Sequence, residues 1–455
     1  MLVIDSILIA NRGEIALRIA RAARELGIRT IQAVSEADKG TIDAVHSDEA
    51  ICIGPPHASK SYLDIDSILN AAKESKAAAI HPGYGFLAEN SDFAEAVEKA
   101  GLIFVGPSSK TIRLMGNKVA ARKIAEQAGI PTVPGSPETI HDVAIAKSFA
   151  KDLGFPVMVK AAAGGGGKGI RMVSELGNFE QNFSLAQREA AAAFGDSGLF
   201  IEKAINNARH IEVQILGDGE NVIHLFERDC SIQRKRQKIW EEAPAYGITE
   251  EIRKDICQAA VFLAKSIEYK GVGTVEFLLN PKKAEYFFLE MNTRIQVEHA
   301  VTEMTTGVDL VREMILIAGG EPLHYEQAQI QMRGHAIEVR INAEDPSNGF
   351  FPCPGKISEL SIPGGPGIRF DSILYLGYEI PPFYDSLIGK LIVWDQNRDK
   401  ALIRLRRALG ELHIGGIKTT TDLFKSLVNN EHLYSGSFDT TWLEKWLEKD
   451  SPLKN

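Results

Sequence analysis

Residues 273–298, GTVEFLLNPKKAEYFFLEMNTRIQVE, constrain the fold of this chain more than any other stretch. Residues 273–279 and 285–291 are rich in β-branched and aromatic side chains, and Asn280-Pro281-Lys282-Lys283 has the composition of a turn. The segment is therefore predicted to form a β-hairpin. With the hairpin centred near Lys283, antiparallel pairing sets Glu276 opposite Glu290, their Cβ atoms roughly 5 Å apart on one face. Two carboxylates so placed repel. A hard divalent cation resolves the conflict, and Mg²⁺ held by one or two carboxylates plus substrate phosphates fits. If the chain stays extended, Glu290, Asn292, Arg294, Gln296 and Glu298 share one face. That mixture of acceptors, amides and one guanidinium suits a metal and an anion held side by side. A half-buried strand with a wet polar face would show the same alternation.

The length, 455 residues, suggests about three domains. A hydrophobic content of 44% and a charged content of 24% are those of a soluble globular enzyme. A net charge of −9 argues against a mainly nucleic-acid-binding role. The local exception is residues 228–238, where Arg228, Arg234, Lys235, Arg236 and Lys238 form a basic run suited to facing a polyphosphate. Cys52, Cys230, Cys257 and Cys353 are scattered without a CxxC pair, which predicts reduced thiols in a cytoplasmic setting. The N-terminus enters a strand directly, so no signal peptide is expected. The chain lacks a run of about 20 apolar residues, so no membrane span is expected either.

Strands alternate with helices from residue 6 to 105, the pattern of a parallel βα domain. Its first strand lacks a following GxGxxG, so a dinucleotide role is unsupported. A helix is predicted at 118–129, then a proline-rich link at 130–137. Residues 154–173, GFPVMVKAAAGGGGKGIRMV, read as strand, glycine loop and strand. The loop does not open a helix as a Rossmann fingerprint must, and Lys168 precedes glycine rather than the Ser/Thr of a Walker loop. A glycine loop between two strands can fold over phosphates and donate backbone N–H groups; a plain flexible linker is the alternative. Residues 210–216, 222–227 and 334–342 alternate as strands, 250–267 form an amphipathic helix, 355–395 a small β-rich unit and 398–412 a closing helix. The chain carries no HExxH or Cys/His cluster, so zinc is not expected.

Together these elements resemble the biotin carboxylases of the ATP-grasp superfamily. The resemblance rests on IANRGEIALRI (9–19), HPGYGFLAEN (81–90), Lys160 with its glycine loop, ERDCSIQR (227–234), EEAPA (241–245), EMNTRIQVEH (290–299), GHAIEVRINAEDP (334–346) and PPFYDSLIGKLI (381–392). It implies an α/β and α+β multidomain fold. An N-terminal Rossmann-like domain would span 1–114. An ATP-grasp domain would span 115–332 with a glycine-loop lid at about 131–203, and a β-rich C-terminal domain 333–445. It also implies ATP-dependent carboxylation of carrier-bound biotin through carboxyphosphate, with Mg²⁺ or Mn²⁺ and two ions expected. On that resemblance Lys118 and Lys160 hold the ATP phosphates under Gly165 and Gly166 of the lid. Glu202, Lys203 and Ile205 contact adenine, and His210 and Gln233 lie on the ribose side. Glu276 and Glu290 match the metal ligands, with Asn292 beside them. Lys238 reaches the γ-phosphate and bicarbonate, and Arg294, Gln296 and Val297 cradle bicarbonate. Glu298 is the base for bicarbonate and afterwards phosphate. Arg340 stabilises the biotin enolate, with Tyr84 and Asp385 where biotin docks. Three departures stand out: Arg236 replaces a usual histidine, Lys168 a frequent arginine and Ala300 a usual proline.

The resemblance further implies a homodimeric subunit, expected to be free-standing because the sequence shows no AMKM-like biotin-attachment motif; composition argues against membrane and nucleic-acid partners. The subunit would serve a biotin carboxyl carrier protein and separate carboxyltransferase subunits, as in the first half-reaction of acetyl-CoA carboxylase. Pyruvate and propionyl-CoA systems use similar subunits. Two rivals are another ATP-grasp ligase joining a carboxylate to an amine, which HPGYGF, RIQVEH and PPFYDS disfavour, and an ATP-binding scaffold without turnover, which the set Lys238, Glu298 and Arg340 disfavours.

Overall fold

The computed structural model describes residues 4–162, 169–449 and 451. Strands β1 (Ser6–Ile9), β2 (Arg29–Ser35), β3 (Glu49–Gly54), β4 (Ala79–His81) and β5 (Ile103–Phe104) form a parallel sheet in the order β3-β2-β1-β4-β5. The side chains of β1 are buried throughout, as expected of a parallel strand covered on both faces. Strand order reverses beside β1, and loops at such a point frame ligand crevices in open α/β sheets. There Asn11 donates to the carbonyls of Pro82 and Tyr84, both at 2.7 Å, which orients the Tyr84 loop.

Strands β6 (Val157–Ala161), β7 (Ile170–Val173) and β8 (Leu199–Lys203) form a small antiparallel sheet in the order β7-β6-β8. Val157, Val159, Leu199 and Ile201 of this sheet pack on Phe179 and Phe183 of the helix Phe179–Phe194. Gly165, Gly166 and Lys168 lie outside the described residues.

The largest sheet is antiparallel and eight-stranded. It contains β9 (Arg209–Asp218), β10 (Val222–Arg234), β11 (Gln237–Ala243), β12 (Lys270–Asn280), β13 (Glu285–Asn292) and β14 (His335–Asn342). The strands Leu387–Asp395 and Ile368–Ser372 complete the order β13-β12-β9-β10-β11-β14 beyond β14. One continuous sheet thus links the central and C-terminal parts of the chain. Lys390 on the strand Leu387–Asp395 reaches Glu14 at 3.3 Å, and Glu14 accepts from the Tyr84 hydroxyl at 2.5 Å, joining this sheet to the N-terminal one.

The predicted hairpin is β12–β13, and Glu276 does face Glu290. The reason differs in part from the expected one. Near the turn Asn280 pairs with Glu285 and Phe277 with Phe288, a register one residue short of that at Glu276. A bulge at Leu289 restores it. The extended face expected over 290–298 does not form: β13 ends at Asn292, and residues 293–298 turn into the helix His299–Thr306. Ile295, fully buried, anchors that turn. The helix Arg398–Glu411 does not close the chain either. Helices Thr421–Leu427, Glu431–Tyr434 and Trp442–Lys449 follow, and Phe424, Leu427, Leu443 and Trp446 join its core. No helix among the described residues is long and apolar enough to cross a membrane, and the four cysteines are free thiols.

Candidate active site

Strand register builds the site. Glu290, Glu276, Glu212 and Arg228 lie opposite one another in a row across β13, β12, β9 and β10. Lys238, from β11, projects into the same region. Its ammonium bonds Glu212, Glu276 (2.7 Å) and Glu298 (2.9 Å). Burial disfavours the ammonium, but these three carboxylates outweigh it and hold the Lys238 pKa well above its usual value. Burial likewise works against the Glu298 carboxylate, and Lys238, Arg340 and Arg228 overcome it, so its pKa falls below the ordinary range. The second Glu298 oxygen accepts from Arg340 at 2.9 Å, and Arg340 Nε donates to Glu241 at 2.7 Å. Glu298 is therefore an ionised, buried carboxylate clamped between two cations.

Glu276 also accepts from Asn292 (2.8 Å) and Gln296 (3.0 Å), and His210 lies 3.2 Å away. Burial opposes the His210 charge, yet Glu276 and Glu212 push its pKa up to about 9. The ligand atoms of His210, Glu212 and Glu276 lie within 4.8 Å of one another. A charged His210 and Lys238 already neutralise that cluster. Glu290 differs: half-buried, it receives no hydrogen bond from the described residues, and burial and then the Glu276 charge raise its pKa. A second carboxylate beside Glu276 without a donor of its own is a hard oxygen set that fits a divalent cation. Asn292 turns its amide nitrogen to Glu276 and its oxygen to Arg294 (3.2 Å).

Lys160 forms an ion pair with Glu202. Lys118 sits beside Glu290 and Lys160, and burial lowers its pKa. The Lys203 ammonium is held by the carbonyls of Gly154 (2.7 Å) and Phe155 (3.1 Å). A groove of about 350 Å³ runs between Lys203–Ile205 and the turn of the β12–β13 hairpin. Gln233, opposite Lys238 on β10, contacts His210 at 3.3 Å.

The turn at 293–298 gathers the remaining polar groups although it is not extended. Arg294 donates to Glu89 at 2.8 Å, Gln296 bridges Glu276 and Arg228, and the Val297 carbonyl accepts from Lys390. Tyr84 is half-buried in the field of Arg340. Asp385 is exposed, and its carboxylate accepts from the Leu387 N–H (2.9 Å); among the described residues it bonds neither Tyr84 nor Arg340. The basic run at 228–238 does not face one direction. Arg228 is fully buried, Arg234 pairs with Glu344 (2.6 Å) and stacks on Phe350, and Lys235 and Arg236 form an exposed turn. Bulges in the β10–β11 pairing separate these side chains. Of this run, Lys238 and the buried Arg228 reach the acidic cluster; Arg234, Lys235 and Arg236 do not.

Glu89, Glu212 and Glu241 were not singled out by the sequence reading, and Arg228 was counted only in the basic run. The alternation His210-Glu212-Gln214 was a usable signal: buried polar side chains two residues apart on a central strand.

Comparison with known proteins matches residues 3–112 to the family "Biotin carboxylase, N-terminal domain". Residues 117–326 match "Carbamoyl-phosphate synthase L chain, ATP binding domain", and 338–445 "Biotin carboxylase C-terminal domain". The biotin carboxylase of Pseudomonas aeruginosa is 51% identical over 449 residues, 98% of this chain and 99% of that protein. The Campylobacter jejuni biotin carboxylase β,γ-ATP complex superposes with a TM-score of 0.95 at 46% identity, covering 97% and 99% of the two chains. The biotin carboxylase domain dimer of Hydrogenobacter thermophilus 2-oxoglutarate carboxylase, with MgADP, ADP and bicarbonate, gives 0.94 at 47% identity, covering 97% and 98%. The chain belongs to the biotin carboxylase family, ATP-dependent ligases of the ATP-grasp superfamily.

Proposed function

We propose that this chain carboxylates biotin on a separate carrier protein, using ATP and bicarbonate through carboxyphosphate. The observation that carries the reading is Glu298, ionised and buried between Lys238 and Arg340, each at 2.9 Å. Phosphoryl transfer mainly needs groups positioned and charge neutralised. Lys118 and Lys160 would bind the ATP phosphates, Lys238 the γ-phosphate. Glu202, Lys203 and Ile205 would meet adenine, and His210 and Gln233 the ribose side. Arg294, Gln296 and Val297 would orient bicarbonate while Glu298 takes its proton. Bicarbonate oxygen then attacks the γ-phosphorus, the bond to ADP breaks, and carboxyphosphate forms. It breaks down to CO₂ and phosphate. The phosphate removes the ureido proton of biotin, and Arg340, with Tyr84 and Asp385 nearby, stabilises the enolate that captures CO₂. Glu276 and Glu290, with Asn292, would hold Mg²⁺, which when bound neutralises charge developing on the phosphates.

In the same reading, the chain divides near 114 and 332, with a lid at about 131–203, and takes two metal ions, Mn²⁺ substituting for Mg²⁺. It works as a cytoplasmic homodimer with a biotin carboxyl carrier protein and carboxyltransferase subunits, as the first half-reaction of acetyl-CoA carboxylase. The reading is tested by ATP hydrolysis with Mg²⁺ and bicarbonate, with and without biotin and a biotinylated carrier. Stimulation by biotin that vanishes without bicarbonate is expected. Hydrolysis indifferent to free and carrier-bound biotin would overturn it.

A further inference from the structure

Arg228 lies at the centre of the eight-stranded sheet with none of its side chain exposed, and its guanidinium makes five hydrogen bonds to five residues. Nε donates to Glu212 at 2.7 Å. Nη1 donates to Gln214 (2.6 Å) and to the Thr302 hydroxyl (3.0 Å). Nη2 donates to the Thr274 hydroxyl (3.2 Å) and to Gln296 Oε1 (2.7 Å). These partners belong to β9, β12, the turn at 293–298 and the helix His299–Thr306. A planar fork with every donor engaged is stiff, and it dictates how its acceptors point.

The acceptor that matters most is the Gln296 amide. Its oxygen faces Arg228, so its nitrogen faces the site and donates to Glu276 at 3.0 Å. The flipped amide would set N–H groups against a guanidinium and an oxygen against a carboxylate, two repulsive contacts in a buried setting. The bond to Thr302 pins the helix that begins just after Glu298 to the same sheet. Arg228 therefore grips the turn from both sides of the base.

We propose that Arg228 is a positioning residue for bicarbonate: it fixes the Gln296 amide with its N–H groups directed at the anion and holds the 296–298 turn at its distance from Lys238. This rests on the reading that residues 294–298 cradle bicarbonate. Arg228 touches neither substrate nor reacting atoms and acts through Gln296 and Thr302.

The test is steady-state ATP hydrolysis in CO₂-depleted buffer, titrated separately with bicarbonate and ATP. Arg228→Lys keeps the charge and loses the fork. It is expected to raise the bicarbonate KM about tenfold or more, the size of a lost charge-assisted hydrogen bond, while the ATP KM stays within about threefold. Adding Gln296→Ala to Arg228→Lys should raise it little further, because the two changes remove one interaction. Should Arg228→Lys not fold, Thr302→Val removes one acceptor without unpairing a charge and should raise the bicarbonate KM about threefold. Additive fold-changes, equal rises in both KM values, or unchanged KM values in folded Arg228→Lys or in Thr302→Val would overturn the proposal. Gln296→Ala alone separates the two levels. If it leaves the bicarbonate KM unchanged, the cradle reading fails and this proposal with it. If it raises the KM while Arg228→Lys does not, only the role of Arg228 falls.

Discussion

Two of the places where glutamates face each other in the eight-stranded sheet contrast: Glu276 and Glu290 across β12 and β13, and Glu241 and Glu338 across β11 and β14. The first pair is open on one side. Glu290 is half-buried, with Lys118 and Lys160 in its surroundings. The second pair is sealed. Glu241 and Glu338 are both fully buried, and neither Glu338 oxygen has a hydrogen-bond partner among the described residues. Burial pushes Glu241 up to about 7 despite Arg340, and it lifts Glu338 well above the carboxylate range despite Lys390. One repulsion is suited to a cation, and the other is relieved by a proton. Opposed carboxylates on a sheet therefore do not by themselves announce a metal. Access and the charges of third parties decide.

The sharpest way to break this comparison is to neutralise each pair in turn. Glu290→Gln is expected to lower bicarbonate-dependent ATP turnover by two or more orders of magnitude, roughly the several kcal/mol a bound metal contributes to charge stabilisation. Glu338→Gln, which mimics an acid already neutral, should leave turnover within about threefold of the parent. Comparable losses in both would erase the distinction.

Arg340 touches the sealed pair through Glu241 and the site through Glu298. Arg340→Met leaves buried Glu241 without its cation and Glu298 with Lys238 alone, and should cost about 3 kcal/mol in denaturant unfolding. Adding Glu241→Gln should recover part of that loss. A double variant no more stable than Arg340→Met would show that Glu241 carries no charge needing Arg340.

The smallest effect concerns stability against pH. Glu338 keeps its proton in the folded chain where an unfolded glutamate, near 4.5, has lost it. The folded state therefore binds more protons, and stability falls as pH rises from that value toward the raised folded pKa. Glu338→Gln abolishes this term. Its Tm relative to the parent should climb by about 2 °C or more between acid and mildly alkaline pH. Glu298 has the opposite sign: its lowered pKa stabilises above the unfolded value, and that contribution is lost as pH falls through the folded one. A pH-independent Tm difference for Glu338→Gln would contradict a proton held there.

The two pairs also mark how far the sequence could be read. Glu276 and Glu290 belong to one hairpin, so counting from its turn brought them together, although a bulge at Leu289 supplied the register that counting alone assumed. Glu241 and Glu338 are almost a hundred residues apart, and no local pattern pairs them. The βα alternation before residue 105 was legible for the same local reason. The strand expected to continue through Glu298 was not, because burying Ile295 turns the chain after Asn292. The groups converge regardless, since Lys238, Arg228 and Arg340 draw the turn in from three other strands.

The central claim is that Glu276 and Glu290 take a divalent cation while Glu241 and Glu338 do not. Titration of Mn²⁺ into the protein with ATP, followed by electron paramagnetic resonance, tests it most directly, with the parent compared to Glu290→Gln and Glu338→Gln. The account predicts that Glu290→Gln weakens Mn²⁺ binding at least about tenfold and that Glu338→Gln leaves it within about twofold. Equal affinity in the parent and Glu290→Gln, or a comparable loss in Glu338→Gln, would contradict it.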